Sequence, residues 1–269
     1  MRITDIELLE AMIGAAREAG RVVQEIYEGG FTVRAKQDAS PVTDADHASE
    51  TLILKRLTEH APGVPIVAEE RVAAGGAPEV GEEFFLVDPL DGTKEFVARR
   101  GEFTVNIALV RGSTPVLGVV FAPASRSLYA ADVLSQRAFR MAQDPLASEP
   151  SERQPIRVRP VPDAGLTAVA SRSHSTPETD RYLGRYAIAE RVSIGSSLKF
   201  CLIAEGRADL YPRLGPTMEW DTAAGHAVLA AAGGRVVNAE GAPLRYGKPQ
   251  FRNGWFVASG GLVPIPVAS

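Results

Sequence analysis

Two aspartates lie close together at the end of an apolar stretch, in the segment FFLVDPLDGTKEF (residues 84–96). Asp88 and Asp91 flank a Pro-Leu pair, so two carboxylates and the carbonyl of Leu90 supply three oxygen ligands within four residues. Mg²⁺ prefers such hard oxygen ligands over nitrogen or sulfur. Asp, Pro and Gly also form surface turns, but a turn alone does not explain the apolar strand that leads into it. We interpret the segment as part of a metal site.

The residues that follow in this segment suit a phosphate group. Gly92 allows the main chain to approach a ligand closely, and the amides of Gly92 and Thr93 are placed to open a helix. Free amides at the start of a helix bind phosphate oxygens. A metal beside an anion site is what the transfer of a phosphoryl group to water requires. The segment therefore favours phosphate-ester chemistry.

Two further acidic positions lie at the ends of predicted elements. VAEE ends a predicted strand with Glu69 and Glu70, and Asp221 is predicted as the N-cap of the helix in WDTAAGHAVLAAAGG. Each has an ordinary structural explanation, because glutamates at strand ends are usually solvated and Asp is a favoured N-cap. Since α/β proteins gather their sites at element ends, the three acidic positions together predict one shared metal centre.

The elements that must position these residues follow from the spacing of apolar side chains. TDIE (residues 4–7) is a capping-box pattern, and the helical spacing that follows continues to residue 26. A second helix is predicted from residue 46 to residue 60. Short apolar runs predict strands at 65–70, 84–90 (ended by Pro89), 103–110, 116–123, 127–132 and 137–141.

The stretch 141–165 is rich in proline and charge and is the best candidate for a boundary, which divides the chain into 1–150 and 151–269. Strands are predicted beyond it at 166–171, 191–195, 208–212, 234–238 and 254–259, alternating with helices at 177–186, 197–205 and 221–232. Such alternation predicts a layered α/β second half.

Composition limits the class of protein. The chain has 269 residues, 29 basic and 33 acidic, and its net charge of −4 gives no general attraction to a nucleic acid polymer or an anionic membrane. The single cysteine, Cys201, lies in an apolar helical stretch and is predicted to be a small core residue. No apolar run approaches the roughly 20 residues of a membrane span, and the N-terminus lacks the pattern of a signal peptide. We expect a cytoplasmic protein; peripheral association with the inner membrane is compatible with this sequence.

Three motifs carry a specific resemblance. VAEE, DPLDGTKEF and WDTAAGHAVLAAAGG resemble the signature motifs of the inositol monophosphatase superfamily of Mg²⁺-dependent, Li⁺-sensitive phosphatases, in the family's order and approximate spacing. The resemblance covers nearly the whole chain. It implies a layered αβαβα sandwich, with an α+β N-terminal half that carries most metal ligands and an α/β C-terminal half. It also implies two or three Mg²⁺ ions bound by Glu69, Asp88, the Leu90 carbonyl, Asp91 and Asp221.

Other positions point to a subfamily. Inositol phosphatases typically read D-G-T-x-N-F, whereas this chain has Lys94 and Glu95 between Thr93 and Phe96. The segments GEFTVNIALV, GSSLKFCLIAEG, LYPRLGPT and EWDTAAGHA resemble the CysQ-type 3'(2'),5'-bisphosphate nucleotidases. The resemblance implies removal of the 3'-phosphate of adenosine 3',5'-bisphosphate (PAP) to leave AMP, in sulfur metabolism, and leaves open whether 3'-phosphoadenylyl sulfate is also cleaved.

The resemblance also implies catalytic roles. Asp46, in PVTDADHASE, matches the family position that pairs with Thr93 to take up the proton of the attacking water, with Glu70 as a supporting acid. Thr43 and Asp46 also form a capping-box pattern before an apolar helix, which on the residues alone is the favoured interpretation.

The second phosphate of such a substrate needs cationic partners. A lone Lys or Arg is usually solvated, but Lys199 lies in an apolar helix and Arg213 follows an apolar strand. The resemblance implies that both bind the 5'-phosphate; His174 either contacts the nucleotide or is a hydrogen-bonded loop histidine. The full set of substrate contacts expected by resemblance is Glu69, Leu90, Asp91, Gly92, Thr93, His174, Ser196, Ser197, Lys199, Arg213 and Asp221.

Two alternatives stay open at this point. The first alternative is a phosphatase for inositol or another small polyol phosphate. The second is a catalytically silent regulator that binds metal or nucleotide on the same scaffold. A silent scaffold is expected to have lost a ligand, and every expected ligand is present. Monomer and homodimer are both compatible with the sequence.

Overall fold

Helices and β-sheets alternate in layers. The computed structural model describes residues 3–35, 41–142, 144, 152–170 and 176–267. Its helices are α1 (Asp5–Gly29), α2 (Asp44–His60), α3 (Glu69–Ala73), α4 (Thr93–Val97), α5 (Pro177–Leu183), α6 (Leu198–Ala204) and α7 (Ala223–Ala231), with a 3₁₀ turn at Pro249–Phe251.

The strands form two large sheets and two short pairs. They are β1 (Val33–Ala35), β2 (Pro41–Thr43), β3 (Ile66–Ala68), β4 (Glu83–Asp91), β5 (Thr104–Arg111), β6 (Thr114–Ala122), β7 (Ser127–Asp132), β8 (Arg137–Ala142), β9 (Gln154–Pro155), β10 (Leu166–Ala170), β11 (Ile188–Ser193), β12 (Leu210–Arg213), β13 (Thr217–Met218), β14 (Arg235–Asn238), β15 (Arg252–Asn253) and β16 (Phe256–Ser259). The seven-stranded sheet has the order β3-β4-β5-β6-β7-β8-β9, and the five-stranded sheet has the order β11-β10-β12-β16-β14.

Three hydrophobic clusters define the order of the layers. One buries α1 and α2 against one face of the seven-stranded sheet. The second joins the other face to α6, α7 and the five-stranded sheet, so these two helices lie between the sheets. The third packs α5 on the outer face of the five-stranded sheet. The αβαβα sandwich expected from the sequence is confirmed, and Cys201 lies fully buried in the middle layer.

Strand β4 is apolar on both faces because it is covered on both sides. Phe84 and Leu86 pack toward the helices between the sheets, whereas Phe85 and Val87 pack under α1 and α2. A strand buried on both faces is expected to have a continuous apolar run rather than an alternating one. This explains why the segment preceding Asp88 contains no polar residue after Glu83.

Two of the predicted boundaries that were wrong lie at the acidic motifs. Strand β4 does not end at Pro89 but continues to Asp91, because a bulge between Asp88 and Asp91 accommodates the residue that cannot donate to the ladder. The predicted strand 65–70 ends at Ala68, and Glu69 begins α3 instead.

The predicted division of the chain falls on residues outside the described ranges. Just beyond it, β9 pairs with β8 as the edge strand of the seven-stranded sheet, so that sheet draws on residues from both sides of the division. Within the described residues, every helix is too short or too polar to cross a lipid bilayer.

Candidate active site

Four carboxylates from three separate elements face one another beside the end of β4. We call Glu69, Asp88, Asp91 and Asp221 the carboxylate cluster. Strands β3 and β4 run parallel with Ala68 paired to Val87, so Glu69 and Asp88 follow at the same edge of the sheet. The bulge in β4 then places Asp91 opposite Thr104. Asp221 lies in the turn before α7, which packs on the same sheet.

The pKa values of the aspartates reflect burial and the repulsion between the carboxylates of the cluster. Burial raises the pKa of Asp88 well above its usual value, and the negative charges of Glu69, Asp91 and Asp221 raise it further. Burial likewise raises the pKa of Asp221, with added repulsion from Asp91 and Glu69. Burial also raises the pKa of Asp91, although the Lys199 ammonium opposes the shift. Buried like charges of this kind are stabilised by a bound cation, so the donor set fits a divalent metal.

Each aspartate of the cluster is held through one oxygen only. The Leu90 amide donates to Asp88 Oδ1 at 3.0 Å, the Ser197 amide to Asp91 Oδ2 at 2.7 Å, and the Met218 amide to Asp221 Oδ2 at 2.8 Å. No residue that the structure describes donates a hydrogen bond to the second oxygen of any of the three. These second oxygens are therefore available to a ligand.

The described residues do not form a complete coordination shell for a metal ion. Among residues 3–35, 41–142, 144, 152–170 and 176–267, no three acidic, His or Cys side chains are arranged as a complete metal-binding group. The cluster is thus one electrostatic group rather than a formed ion cage. The assignment of Glu69, Asp88, Leu90, Asp91 and Asp221 as metal ligands stays a prediction.

Asp221 does not cap α7, contrary to the prediction. The N-cap is Thr222, one residue later, and Asp221 accepts the Met218 amide within its own turn instead. Helix boundaries are defined only to within one or two residues, so the difference between Asp221 and Thr222 as N-cap is small. Its consequence is that the Asp221 carboxylate is not used by the helix and faces the cluster.

Asp46 forms the capping box of α2 and also contacts Thr93, whereas its role in taking up a proton stays a prediction. Its Oδ2 accepts from the amide and the hydroxyl of Thr43, both at 2.7 Å, which is the capping box of α2. Its Oδ1 lies 3.2 Å from the Thr93 hydroxyl, which is also 3.2 Å from the Leu90 carbonyl. Capping uses only one carboxylate oxygen, and the other faces Thr93.

Glu70 is buried under α2, where a residue that the sequence analysis missed supports it. The Glu70 amide donates to Oε2 of Glu50 at 2.8 Å, which fixes the first turn of α3 and hence Glu69. Burial raises the pKa of Glu50 to about 7, with further repulsion from Glu70 and Glu69. Glu50 lies one turn after Asp46 on α2, and this i, i+4 spacing was the available signal.

A cleft opens beside the cluster. Its volume is about 100 Å³, and it is lined by Asp91, Glu95, Gly195, Ser196, Lys199, Phe200, Tyr211, Arg213, Thr217, Asp221 and Thr222. A cleft of this size suits a phosphate group rather than a whole nucleotide, because small-molecule sites typically have about 300–1,000 Å³. A larger cavity of about 770 Å³ runs along α1 and α2, but it contains no member of the carboxylate cluster.

Lys199 is buried at the back of this cleft. Its ammonium donates to the carbonyls of Ser196 at 2.6 Å and Ile194 at 3.3 Å, and it lies 5.5 Å from the centre of the Tyr211 ring. Burial lowers its pKa to about 8, against the attraction of Asp91. An ammonium has three donors, and these two bonds leave one for a ligand.

Two buried donors in the cleft lack a partner. Among the described residues, Ser196 Oγ and Arg213 Nε make no hydrogen bond, although both are shielded from water. Arg213 is held in place because its Nη2 donates to the Pro216 carbonyl at 3.0 Å. Buried polar groups are nearly always paired, so two such donors beside a buried lysine indicate a place for an anionic acceptor.

The other predicted contacts fall in different positions. Ser197 lies behind the cleft, where its hydroxyl donates to the Asp221 carbonyl at 2.8 Å. Lys94 is exposed, whereas Glu95 lines the cleft. Gly92 adopts a φ of 91°, and a side chain there would meet the Glu102 carbonyl at 3.0 Å, so glycine is required at this turn. His174 and its neighbours Ser171 and Arg172 lie outside the described residues.

Comparisons with known proteins point to one family. The model of the inositol monophosphatase family matches residues 5–260. The 3'(2'),5'-bisphosphate nucleotidase CysQ of Salmonella typhimurium is 46% identical over 242 residues, which are 89% of this chain and 94% of that protein. The CysQ of Escherichia coli K12 is likewise 46% identical over the same shares of the two chains.

Solved structures show the same architecture. The crystal structure of CysQ from Bacteroides thetaiotaomicron, described as a bacterial member of the inositol monophosphatase family, is 39% identical, has a TM-score of 0.79, and matches 94% of this chain and 97% of its own. An inositol monophosphatase from Anabaena is 25% identical, with a TM-score of 0.75 over 98% of this chain and 99% of its own.

Proposed function

The chain belongs to the inositol monophosphatase family, and within that family we propose that it is a metal-dependent 3'(2'),5'-bisphosphate nucleotidase. It hydrolyses the 3'-phosphate of PAP to give AMP and phosphate. The observation that carries this proposal is the pair of buried, unpartnered donors, Ser196 Oγ and Arg213 Nε, in a cleft that also contains Asp91 and Asp221. An acidic cluster and an anion-binding cleft side by side suit a substrate with two phosphates.

The reacting phosphate lies against the carboxylate cluster. The residues of the carboxylate cluster, with the Leu90 carbonyl, are suited to hold two or three Mg²⁺ ions, because carboxylate and carbonyl oxygens are hard ligands. When bound, divalent ions supply positive charge opposite the phosphate oxygens and make a water molecule more acidic. The aspartates orient this charge because a main-chain amide fixes one oxygen of each.

Thr93 and Asp46 accept the proton of the attacking water. The Thr93 hydroxyl donates to Asp46 Oδ1 at 3.2 Å, so its oxygen is free to accept a proton from a water on its other side. Asp46 cannot rotate away, because Thr43 holds its second oxygen through two hydrogen bonds. Glu70, fixed by Glu50, supports the position of Glu69 at the cluster. The remaining contacts to the scissile phosphate come from the turn at Gly92.

The 5'-phosphate lies in the cleft. Lys199 has one donor left, and Ser196 Oγ and Arg213 Nε have theirs unused among the described residues. A phosphate dianion offers enough acceptors for all three, and pairing buried donors with charged acceptors gives strong hydrogen bonds. An inositol monophosphate has no second phosphate to fill this site, so the cleft favours a bisphosphate.

Further expectations follow from the same assignment. Cleavage of 3'-phosphoadenylyl sulfate, a place in sulfur metabolism and inhibition by Li⁺ are part of the proposal and depend on the family resemblance. The cytoplasmic location, and the choice between monomer and homodimer, stay predictions from the sequence.

A comparison of two substrates tests the proposal. Release of phosphate from PAP and from inositol 1-phosphate is measured at saturating Mg²⁺, with EDTA-treated protein as the control. We expect kcat/KM to be at least about 100-fold higher for PAP, because a site built for a polar group discriminates strongly against an analogue that lacks it. Higher kcat/KM for inositol 1-phosphate would overturn the nucleotidase assignment in favour of a polyol phosphatase. No hydrolysis of either ester would favour a silent regulator.

A further inference from the structure

Asn106 is a polar residue in the middle of an apolar strand. It lies on β5 within FTVNIALV and is completely buried, although its neighbours Val105 and Ile107 are core residues. Its side-chain nitrogen donates to Asp91 Oδ2 at 3.3 Å and to Ser197 Oγ at 3.0 Å. Its side-chain oxygen has no hydrogen-bond partner among the described residues.

The two hydrogen bonds of this amide connect the parts of the chain that form the carboxylate cluster. Asp91 is on β4 in the first half of the chain, whereas Ser197 is the N-cap of α6 in the second half. The Ser197 hydroxyl in turn donates to the Asp221 carbonyl at 2.8 Å, and the Ser197 amide donates to Asp91 Oδ2 at 2.7 Å. Asn106 thus closes a ring of hydrogen bonds with Asp91 and Ser197, and Ser197 ties this ring to the main chain of Asp221.

This ring determines which oxygen of Asp91 faces the cluster. Three donors gather on Oδ2, namely the Ser197 amide, the Asn106 amide and, at the longer distance of 3.5 Å, the Thr104 hydroxyl. No described residue donates to Oδ1. Because a carboxylate turns about one bond, holding Oδ2 on one side directs Oδ1 to the other side, and outer partners of this kind tune metal ligands.

A role in folding alone explains Asn106 poorly. A buried amide oxygen without a donor costs free energy, so an apolar residue of similar size would serve the core of the sheet better. The nitrogen, in contrast, has both hydrogens used, and both acceptors belong to residues that touch the cluster. The position of Asn106 is therefore explained by the hydrogen bonds that its nitrogen donates to Asp91 and Ser197.

We propose that Asn106 is a positioning residue for the metal site, which orients the Asp91 carboxylate and ties it through Ser197 to the main chain of Asp221. The inference rests on the proposed function in one respect, that Asp91 and Asp221 bind the metal. Asn106 itself contacts neither metal nor substrate. Its loss is expected to weaken metal binding while the nucleotide contacts in the cleft stay intact.

The test is metal binding by the full chain without substrate. MnCl₂ is titrated into wild type, Asn106→Leu and Asn106→Ser, and free Mn²⁺ is followed by electron paramagnetic resonance. We expect the dissociation constant to rise about tenfold or more in Asn106→Leu, which keeps the branched shape of the side chain but loses both donors. Asn106→Ser keeps one possible donor, and its dissociation constant is expected to lie between those of wild type and Asn106→Leu. At saturating metal, KM for PAP is expected to stay within about twofold of wild type.

A buried control separates positioning from simple loss of stability. Thr167 on β10 is buried, and its hydroxyl accepts a partly buried hydrogen bond from Arg159, so Thr167→Val removes this hydrogen bond and changes no residue of the carboxylate cluster. This control is expected to melt at a lower temperature in EDTA and to bind Mn²⁺ as wild type does.

The outcomes separate this inference from the proposed function. Wild-type affinity for Mn²⁺ in Asn106→Leu, with a lowered melting temperature, would reduce Asn106 to a folding role and overturn the proposal; if that variant does not fold, the same criterion applies to Asn106→Ser. A wild type that binds Mn²⁺ but does not hydrolyse PAP would refute the nucleotidase assignment only. A wild type that binds no Mn²⁺ would overturn both.

Discussion

Two acidic side chains that lie two positions apart, Glu219 and Asp221, differ in how the protein compensates their charges. Glu219 is fully buried and accepts from the amides of Gly247 at 2.8 Å and Lys248 at 3.0 Å, with the Lys248 ammonium at 2.6 Å. Asp221 accepts one amide and is repelled by the other carboxylates of the cluster. The first acid is satisfied by the protein itself, whereas the second is not.

The difference teaches what distinguishes a structural carboxylate from a ligand-binding one. Burying a charge is costly unless it is paired and hydrogen-bonded, and Glu219 meets both conditions. Asp91 and Asp221 meet neither condition fully, and under the proposed function a bound cation compensates for this. Glu219 also holds the turn that carries Asp221, so the satisfied acid positions the unsatisfied one.

Asp91→Asn is expected to give the largest effect. It removes one negative charge from the cluster but keeps the size of the side chain, so kcat for PAP should fall at least about 10³-fold, as when a group acting on developing charge is lost. Because burial disfavours this charge more than Lys199 and the hydrogen bonds favour it, melting in EDTA should be unchanged or slightly higher than in wild type. The measurements are phosphate release and thermal unfolding. Retained activity would remove Asp91 from the metal site.

Glu219→Gln is expected to give the opposite pattern. The neutral amide loses the ion pair with Lys248 and places a donor among donors, so the free energy of unfolding should fall by about 2–3 kcal/mol. Activity of the folded fraction should fall far less than in Asp91→Asn. Urea unfolding, followed at the buried Trp220, measures this change. A loss of activity without loss of stability would mean that Glu219 belongs functionally to the cluster.

Lys199→Met tests the cationic side of the site. The variant keeps the apolar part of the side chain but removes the ammonium, so KM for PAP should rise about 10-fold, the value of one charge-assisted hydrogen bond. Hydrolysis of a simple ester such as p-nitrophenyl phosphate should change little. Because the Lys199 ammonium also holds the carbonyls of Ser196 and Ile194, Arg213→Gln is the companion variant with the same expected pattern. An equal loss on both substrates would contradict a role in binding the 5'-phosphate.

The sequence predicted the family because its three motifs are local patterns, and the family is confirmed by the match over residues 5–260. The order of the layers followed from that resemblance, since the alternation of apolar runs alone predicted only a layered α/β second half. The predicted strand end at Pro89 was wrong, because the bulge depends on pairing with β5, which is distant in the chain. Asn106 and Glu50 were missed for the same reason. Their partners lie 91 and 20 residues away, and a polar residue in an apolar run does not reveal what it contacts.

His226 lies on α7, five residues after Asp221. We expect it to make a smaller, pH-dependent contribution to the free energy of unfolding. Burial lowers its pKa to about 3, and the charges of Arg245 and Lys248 add to the shift. The folded state keeps this imidazole neutral, next to the Tyr246 hydroxyl at 3.0 Å, whereas the unfolded chain binds a proton near pH 6.5. Unfolding therefore takes up a proton between these two values, so stability is complete above pH 6.5 and falls as the pH decreases toward 3.

The expected loss from this single group is about 2 kcal/mol between pH 7 and pH 5. Urea unfolding of wild type and His226→Gln at both pH values measures it, and the variant should show a shallower dependence because glutamine does not titrate. Melting in EDTA keeps metal binding out of the comparison. Since acids whose pKa is raised by burial, such as Asp88, gain relative stability as the pH falls, they oppose His226 in wild type. Identical pH dependence in both proteins would show that His226 does not cause the loss of stability in acid.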